Sequence, residues 1–153
     1  MCSGRDGSTD GKVNYQNLGR LVEAVGKEHI VLDLSARRAD DDYFIVTDRW
    51  QHFTKEKITT ELLDRLSSYC DEFLIHAADV EGKCQGIEED LVRLLGDWGK
   101  IPITYAGGIS DYQDITHIKE IGDGRINITI GSALDLFGGN LNYETVLKYV
   151  QDV

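Results

Sequence analysis

Apolar residues follow two spacings along this chain, so that helical stripes alternate with short aliphatic runs. Between residues 18 and 25, four aliphatic side chains recur at the spacing of one helix face, which predicts a helix over 14–26 that Gly26 ends. A second helix is predicted over 59–69, with Thr60 as its expected cap. Three more helices are predicted over 87–98, from Ser110 or Asp111 to Gly122, and over 143–150.

Four apolar runs are too short for helices and rich in aliphatic residues, which predicts buried strands. Their apolar residues are continuous rather than alternating, so we expect both faces of each strand to be covered. Between the first two runs, residues from Tyr43 to Thr47 alternate and predict a short excursion of strand within a long loop. The four runs cover 30–34, 72–77, 101–106 and 126–133.

The order of these elements predicts an α/β fold of the form α(βα)₄. Strands that alternate with helices form parallel sheets with right-handed crossovers. The chain shows no linker, no low-complexity tract and no second unit, so one domain is predicted over 1–153. Residues 1–12 are rich in Gly, Ser and Asp and are predicted to be a loop.

Composition excludes several classes of function. The 153 residues carry a net charge of −11, which argues against binding to nucleic acid or a membrane surface. No run of 18 apolar residues occurs, and the first residues lack a signal-peptide core. Three cysteines, far apart and odd in number, show neither metal spacing nor a disulfide framework, which is typical of a reducing interior.

Two glycine sites follow consecutive strands and are candidates for phosphate binding. Gly107 and Gly108 come directly after the third strand, and Gly131 and Ser132 end the fourth. Backbone N–H groups at such turns, next to helix N-termini, hold a phosphate without lysine. The alternative is that these glycines only make tight turns; their occurrence on consecutive strands favours phosphate.

Reactive side chains of parallel α/β folds gather at the carboxyl ends of the strands. Asp33 is expected to end the first strand. It is either a general acid with a raised pKa, or a capping acid or ion-pair partner of Arg37 or Arg38. His76 ends the second strand, where a packed histidine is the commoner case and no second ligand supports a metal.

Three further polar or aromatic positions lie in loops near these strands. Trp50 either covers a ligand ring or holds its loop in place. Asp79 and Glu81 flank Val80, so we expect them to share one side of their loop. Contact with a ligand and solvation of a helix end are both open for them.

Five stretches together resemble one family. IVLDLS, DRWQ, EFLIHAADVEGKCQGI, ITYAGGI and TIGSALDLFGGN are similar to the eukaryote-type phosphoribosylformimino-5-aminoimidazole carboxamide ribotide isomerases of histidine biosynthesis. The resemblance runs from about residue 11 to 150. The cyclase subunit of imidazole glycerol phosphate synthase shares the same barrel, but the HAADVEG stretch favours the isomerase.

The resemblance implies an Amadori rearrangement of an aminoaldose to an aminoketose, with two aspartates at opposed strands. The general acid that helps to open the ribose ring falls on Asp33, and the general base lies on the family's first strand. Trp50 falls in a loop that closes over the substrate. His76, at the end of strand six, and Asp79, beyond it, are expected to bind the substrate. No metal or organic cofactor is implied. The family's phosphate-binding positions fall on Gly107, Gly108, Gly131 and Ser132.

The chain departs from the family at two points. Ala77 stands where many bacterial members have Thr, with Asp79 two residues on. The family is an eight-stranded barrel, which takes about 250 residues, whereas four strands are found here. We therefore expect a half-barrel that corresponds to strands five to eight.

Open strand edges invite association, so the expected partners are an N-terminal half-barrel or a second copy, besides a phosphorylated small molecule. Two alternatives remain: a non-catalytic phosphate-binding subunit, and the related cyclase. The expected compartment is the cytoplasm, or the plastid in a plant.

Overall fold

A six-stranded sheet with helices on one face forms the fold in the computed structural model, which describes residues 11–47, 52–83 and 86–152. The strands lie in the order β3-β2-β1-β4-β5-β6. The strands are β1 Val31–Ala39, β2 Asp42–Thr47, β3 His52–Lys57, β4 Glu72–Ala77, β5 Ile103–Ala106 and β6 Ile126–Thr129; the helices are α1 Tyr15–Val25, α2 Thr60–Leu66, α3 Glu89–Trp98, α4 Tyr112–Ile121 and α5 Tyr143–Asp152, with 3₁₀ turns at Lys27–His29 and Asp135–Phe137.

The four predicted strands are confirmed as the parallel part of the sheet. β1 pairs with β4, β4 with β5, and β5 with β6, all in parallel register. A helix separates each of these strands from the next, as the α(βα)₄ order predicts. The carboxyl ends of all four strands therefore lie at one edge of the sheet.

Two helix ends and one cap differ from the sequence prediction. α2 ends at Leu66 rather than at residue 69, and α3 begins at Glu89 rather than at residue 87. Gly26 ends α1 with a φ of +84°, and its N–H donates to Val22 O. The cap of α2 is Thr59 rather than Thr60, because the Thr59 side chain accepts the Leu62 N–H at 3.2 Å. Asp111 caps α4 in a reciprocal pair with Asp114.

The prediction that the strands are covered on both faces is wrong. Leu32, Leu34 and Ala36 of β1 are buried against the helices, whereas Val31 on the opposite face is 53% exposed. β4 alternates in the same way between buried and partly exposed residues. The helices of the described chain pack on only one side, so apolar residues on the other side have no cover.

Two strands form an antiparallel hairpin beside the parallel sheet. β2 confirms the predicted excursion, and it pairs with the second half of β1, from Ser35 to Ala39. β3 was not predicted, because its sequence HFTKEK is polar and its backbone is held by pairing with β2. Residues 31–34 of β1 pair on the β4 side only, within the described strands.

The hairpin is fixed to α3 by a hydrogen-bond network. Buried Tyr43 donates its hydroxyl to Glu88 Oε2 at 2.7 Å, and the Glu88 N–H donates to Tyr105 OH at 3.0 Å. Burial, together with the Glu88 carboxylate, raises the pKa of Tyr43 well above its usual value. Burial alone is the main cause of the raised pKa of Tyr105. Both hydroxyls stay protonated and continue to donate or accept in this network.

Candidate active site

Asp33 lies on the uncovered face of β1 and not at its end. The strand continues for six residues beyond Asp33 because the hairpin extends its pairing to Ala39. The side chain is 60% exposed, so the apolar setting expected from its neighbours is wrong. Period-two alternation explains the error, because the flanking Leu32 and Leu34 point to the opposite face.

The polar neighbour of Asp33 is a histidine on the next strand. His76 Nε2 lies 3.4 Å from Asp33 Oδ1. Neither arginine plays the part that was considered for it: Arg37 Nε donates to Asp79 Oδ1 at 2.8 Å, and Arg38 Nη1 donates to Asp90 at 3.0 Å. Arg37 shares the face of Asp33 but lies four residues, or about 13 Å, further along the strand.

His76 has a second carboxylate on its other side. Its Nδ1 lies 4.0 Å from Glu81 Oε2. The chain reverses after β4 in a tight turn, in which Ala77 O accepts the N–H groups of Val80 and Glu81. This turn directs the Glu81 carboxyl group back to the end of β4. Glu81 Oε2 is buried and finds no hydrogen-bond partner within the described part of the chain.

Asp79 and Glu81 do not share a side of the loop, contrary to the sequence expectation. Asp79 accepts from Arg37 and from the backbone N–H of Arg38, both on β1. Glu81 faces His76 instead. The expectation assumed an extended loop, whereas in a turn residues two apart point in different directions. The substrate-contacting role of Asp79 remains a prediction, and Trp50 lies outside the described residues.

The two glycine sites and His76 line one small cavity. Its volume is about 170 Å³, and Glu81 and Gly82 contribute to its wall. The residues singled out from the sequence that line it are His76, Gly107, Gly108, Gly131 and Ser132.

The glycines of this cavity differ in whether their positions would accommodate a side chain. Gly108 has a φ of +77°, and an added Cβ would lie 1.8 Å from Gly86 O. Gly107 also has a positive φ, of +128°, and an added Cβ would crowd Ala77 O at 2.9 Å. At Gly131, an added Cβ would meet nothing within 4 Å. The first two glycines are required by the fold, whereas the third leaves open space beside the cavity.

A larger cavity of about 670 Å³ lies between α3, α4 and α5. Glu89, Asp114 and Glu120 contribute carboxylates to its lining, and His117 Nε2 lies 3.2 Å from Glu89. An acidic lining repels phosphate, so the smaller cavity is the better candidate for a phosphorylated ligand.

Glu81 is the site residue that the sequence left undecided. Its sequence position, five residues after His76, carries no signal, because only the turn brings the two side chains together. Among the described residues, no group of three or more His, Cys, Asp or Glu side chains could hold a metal ion. Nor does the described part of the chain contain a helix long and apolar enough to cross a membrane.

Comparison with known proteins gives a consistent match. The family described as histidine biosynthesis protein matches residues 9–142. A chloroplastic 1-(5-phosphoribosyl)-5-((5-phosphoribosylamino)methylideneamino) imidazole-4-carboxamide isomerase from Medicago truncatula is 46% identical over 140 residues, covering 92% of this chain and 45% of its own length.

Fungal proteins of the same name match over the same extent. The isomerase of Yarrowia lipolytica is 45% identical over 86% of this chain and 53% of its own length. That of Saccharomyces cerevisiae is 43% identical over 86% of this chain and 52% of its own length. The chain thus spans about half the length of the curated relatives that it matches.

Proposed function

The chain belongs to the histidine biosynthesis protein family, and from that premise we propose that it carries the proton donor and one phosphate site of an aldose–ketose isomerase. The substrate is the N-(5′-phosphoribosyl)formimino aminoimidazole carboxamide ribotide, and the reaction is an Amadori rearrangement. The observation that carries the proposal is the placement of Asp33, His76 and the glycine turns at neighbouring strands of one sheet. Relatives that bear the isomerase name support it.

We further propose that β1, β4, β5 and β6 are strands five to eight of a (β/α)₈ barrel. Residues of barrel strands alternate between the interior and the surrounding helices. In this chain, one set of alternating positions packs on the helices and the other set, with Val31, Asp33 and Asn127, lies open. The open set has the position of a barrel interior that the other four strands complete.

Exposed apolar side chains near both ends of the parallel sheet support this assignment. Near β1, Val25 and Val31 are exposed, and beyond β6, Leu136 and Phe137 are exposed. α5 carries a further exposed stripe on one face, formed by Tyr143, Leu147 and Val150. Apolar patches of this kind mark surfaces that another element covers.

The proposed partner is an N-terminal half-barrel, or a second copy of this chain that takes its place. The covering element has to supply strands to both open edges, next to β1 residues 31–34 and next to β6. It also has to supply the general base, which in the resembling family lies on the first strand. For the compartment we propose the cytoplasm, or the plastid for a plant protein, because the Medicago truncatula relative is named as chloroplastic.

In the proposed reaction, Asp33 donates its proton to the ribose ring oxygen as the bond from that oxygen to carbon one breaks. The nitrogen lone pair forms the imine that replaces this bond. The base on the partner half then removes the proton from carbon two, and an enolamine results. Protonation of carbon one and loss of the enol proton give the ketose, with no net change in protons. Asp33 has open space on its side of the sheet for such a substrate.

A first test measures isomerisation by the chain, alone and mixed with a separately made N-terminal half-barrel. We expect activity only in the mixture, since the strand-one base is supplied by the added half, and a loss of more than about 100-fold in Asp33→Asn. Asp90→Asn is the matched control, because Asp90 is exposed and contacts Arg38 away from the cavity.

The other functions correspond to other outcomes of this assay. A folded mixture that binds the substrate without turnover indicates a non-catalytic phosphate-binding subunit. Turnover of the ketose with ammonia, but not of its aldose precursor, indicates the related cyclase. Equal activity in Asp33→Asn and wild type removes Asp33 from the mechanism.

A second test concerns the phosphate site. Gly131→Ala places a methyl group in the open space beside the cavity, so we expect inorganic phosphate to bind about tenfold more weakly. Gly19→Ala is the matched control, because Gly19 also has open space around it but lies in α1. A phosphorus NMR titration of each variant measures binding, and equal affinities in both variants contradict a phosphate site at Gly131.

A further inference from the structure

His76 faces a carboxylate oxygen on each side of its ring. Nε2 lies 3.4 Å from Asp33 Oδ1, and Nδ1 lies 4.0 Å from Glu81 Oε2. Both distances are within reach of ion pairing and longer than hydrogen bonds. Catalytic hydrogen bonds are often long without substrate and shorten when it binds.

The protonation of the ring decides what this arrangement does. A neutral imidazole donates from one nitrogen only and places a lone pair against the other carboxylate. An imidazolium donates from both nitrogens, so both carboxylates gain a partner. Burial of Glu81 Oε2 without a hydrogen bond from any described residue costs free energy, which donation from the ring would offset.

Two cationic side chains near the end of β4 have contacts elsewhere. In register with His76, β1 offers Ser35 and β5 offers Ala106, neither of which is ionisable at neutral pH. Arg37 binds Asp79, and the Lys83 ammonium group donates to Asp79 O. Within the described ranges, the ionisable groups seen to face the His76 ring are the carboxyl groups of Asp33 and Glu81.

We propose that His76 is the positioning residue of Asp33, held as an imidazolium between Asp33 and Glu81. This inference rests on the proposed function of Asp33 as proton donor. The Nε2–H group holds Oδ1 and thereby fixes the direction in which Oδ2 faces the ribose ring oxygen. After transfer, the same N–H stabilises the carboxylate that remains. Glu81 holds the ring by accepting from Nδ1–H.

The positive ring also resolves a conflict of charge in the cavity. Glu81 lines the space that the glycine turns offer to a phosphate. A lone carboxylate there repels the ligand, whereas Glu81 paired with an imidazolium has no net charge. Glu81 therefore contributes by holding His76, and it does not contact the phosphate.

The first experiment records the ring N–H protons of His76 by NMR on the full chain near neutral pH, with His76→Gln to assign the signals. We expect two slowly exchanging ring protons. Glu81→Gln should remove the Nδ1 proton signal, and Asp33→Asn should remove the Nε2 proton signal. Glu89→Gln, beside His117, is the matched control and should change neither. Absence of both signals in the wild-type chain overturns the proposal.

The second experiment measures kcat and KM in the half-barrel mixture for His76→Gln and His76→Leu. Glutamine retains an N–H donor, so we expect it to keep about tenfold more kcat than leucine, with KM nearly equal in both. A loss that appears in KM instead assigns His76 to substrate binding and overturns the positioning role. If the wild-type mixture shows no isomerisation, the proposed function fails, and the NMR result still decides how His76 is held.

Discussion

At the scale of single residues, the surroundings give similar side chains different properties. Asp33 and Glu81 both face His76, but Asp33 is mostly exposed and Glu81 presents a buried oxygen. Gly108 is required by its positive φ and by the closeness of Gly86, whereas Gly131 has open space around it. Residue type alone does not separate the members of either pair.

Cys70 gives a prediction of pH dependence. Burial raises the pKa of its thiol to about 11 from 9.0, so folding favours the protonated form. The stability that it contributes is full below about pH 9 and is lost as pH rises towards 11, at about 1.4 kcal/mol per pKa unit. Urea unfolding of wild type and Cys70→Ala from pH 8 to 11 should show their stability difference shrinking.

The comparison with Cys70→Ala isolates the thiol from other groups that titrate at high pH. Tyr43 and Tyr105 also have raised pKa values, but both are present in the two proteins and cancel in the difference. A stability difference that stays constant up to about pH 11 contradicts the prediction.

At the scale of elements, the hairpin holds the site's supporting residues in place. It pairs with the far half of β1 and sets the length of that strand beyond Asp33. Arg37 of β1 packs over the ring of Phe53 in β3, at 5.1 Å, and binds Asp79 of the loop after β4. Through Arg37, the β2–β3 hairpin and the loop after β4 are held against each other.

We predict that Tyr43→Phe weakens the contact between hairpin and helix α3. The change removes a 2.7 Å hydrogen bond to the Glu88 carboxylate from a buried position. The expected loss in unfolding free energy is about 1.5–3 kcal/mol, as for hydrogen bonds to charged groups. Urea denaturation measures it, and Tyr143→Phe at an exposed position is the control. Equal losses in both variants mean that the bond contributes nothing specific.

At the scale of the whole molecule, the sheet is covered on one face and open on the other. Apart from Phe53 of β3, the large apolar side chains found exposed lie on α1 and β1 and on the segment from Leu136 to Val150. A chain that exposes such patches gains free energy when another surface covers them, at about 25 cal/mol per Å² of apolar area. If the chain is a half-barrel, as proposed, we therefore expect it to associate with a partner that covers these patches.

We predict that Leu147→Lys reduces this association. Leu147 is 46% exposed in the middle of the α5 stripe, and a charge there disfavours burial against a partner. Sedimentation velocity should show a smaller associated fraction, alone or with the N-terminal half, while unfolding of the monomer changes little. Lys148→Gln, about 100° further around the helix, is the control. Unchanged association in Leu147→Lys excludes this face from the interface.

The sequence by itself determined the order and type of the main elements. Local periodicity and the stops at Gly26 and Gly122 are properties of neighbouring residues, so α1, α4 and the four parallel strands were predictable. The family match needed only the order of motifs. The glycine turns came together as predicted, because parallel strands end at one edge of the sheet.

Only the tertiary structure decided three features, each of which depends on residues that come together through folding. β3 forms because backbone pairing with β2 does not require apolar side chains. The helices cover one face of the sheet. Whether the other face is covered depends on which other elements pack on it, and the sequence of a strand does not contain that information. The placement of His76 between Asp33 and Glu81 follows from the register of two strands and from one turn. Backbone hydrogen bonds set both, so the pattern of side chains along the sequence does not predict which acids lie next to the ring.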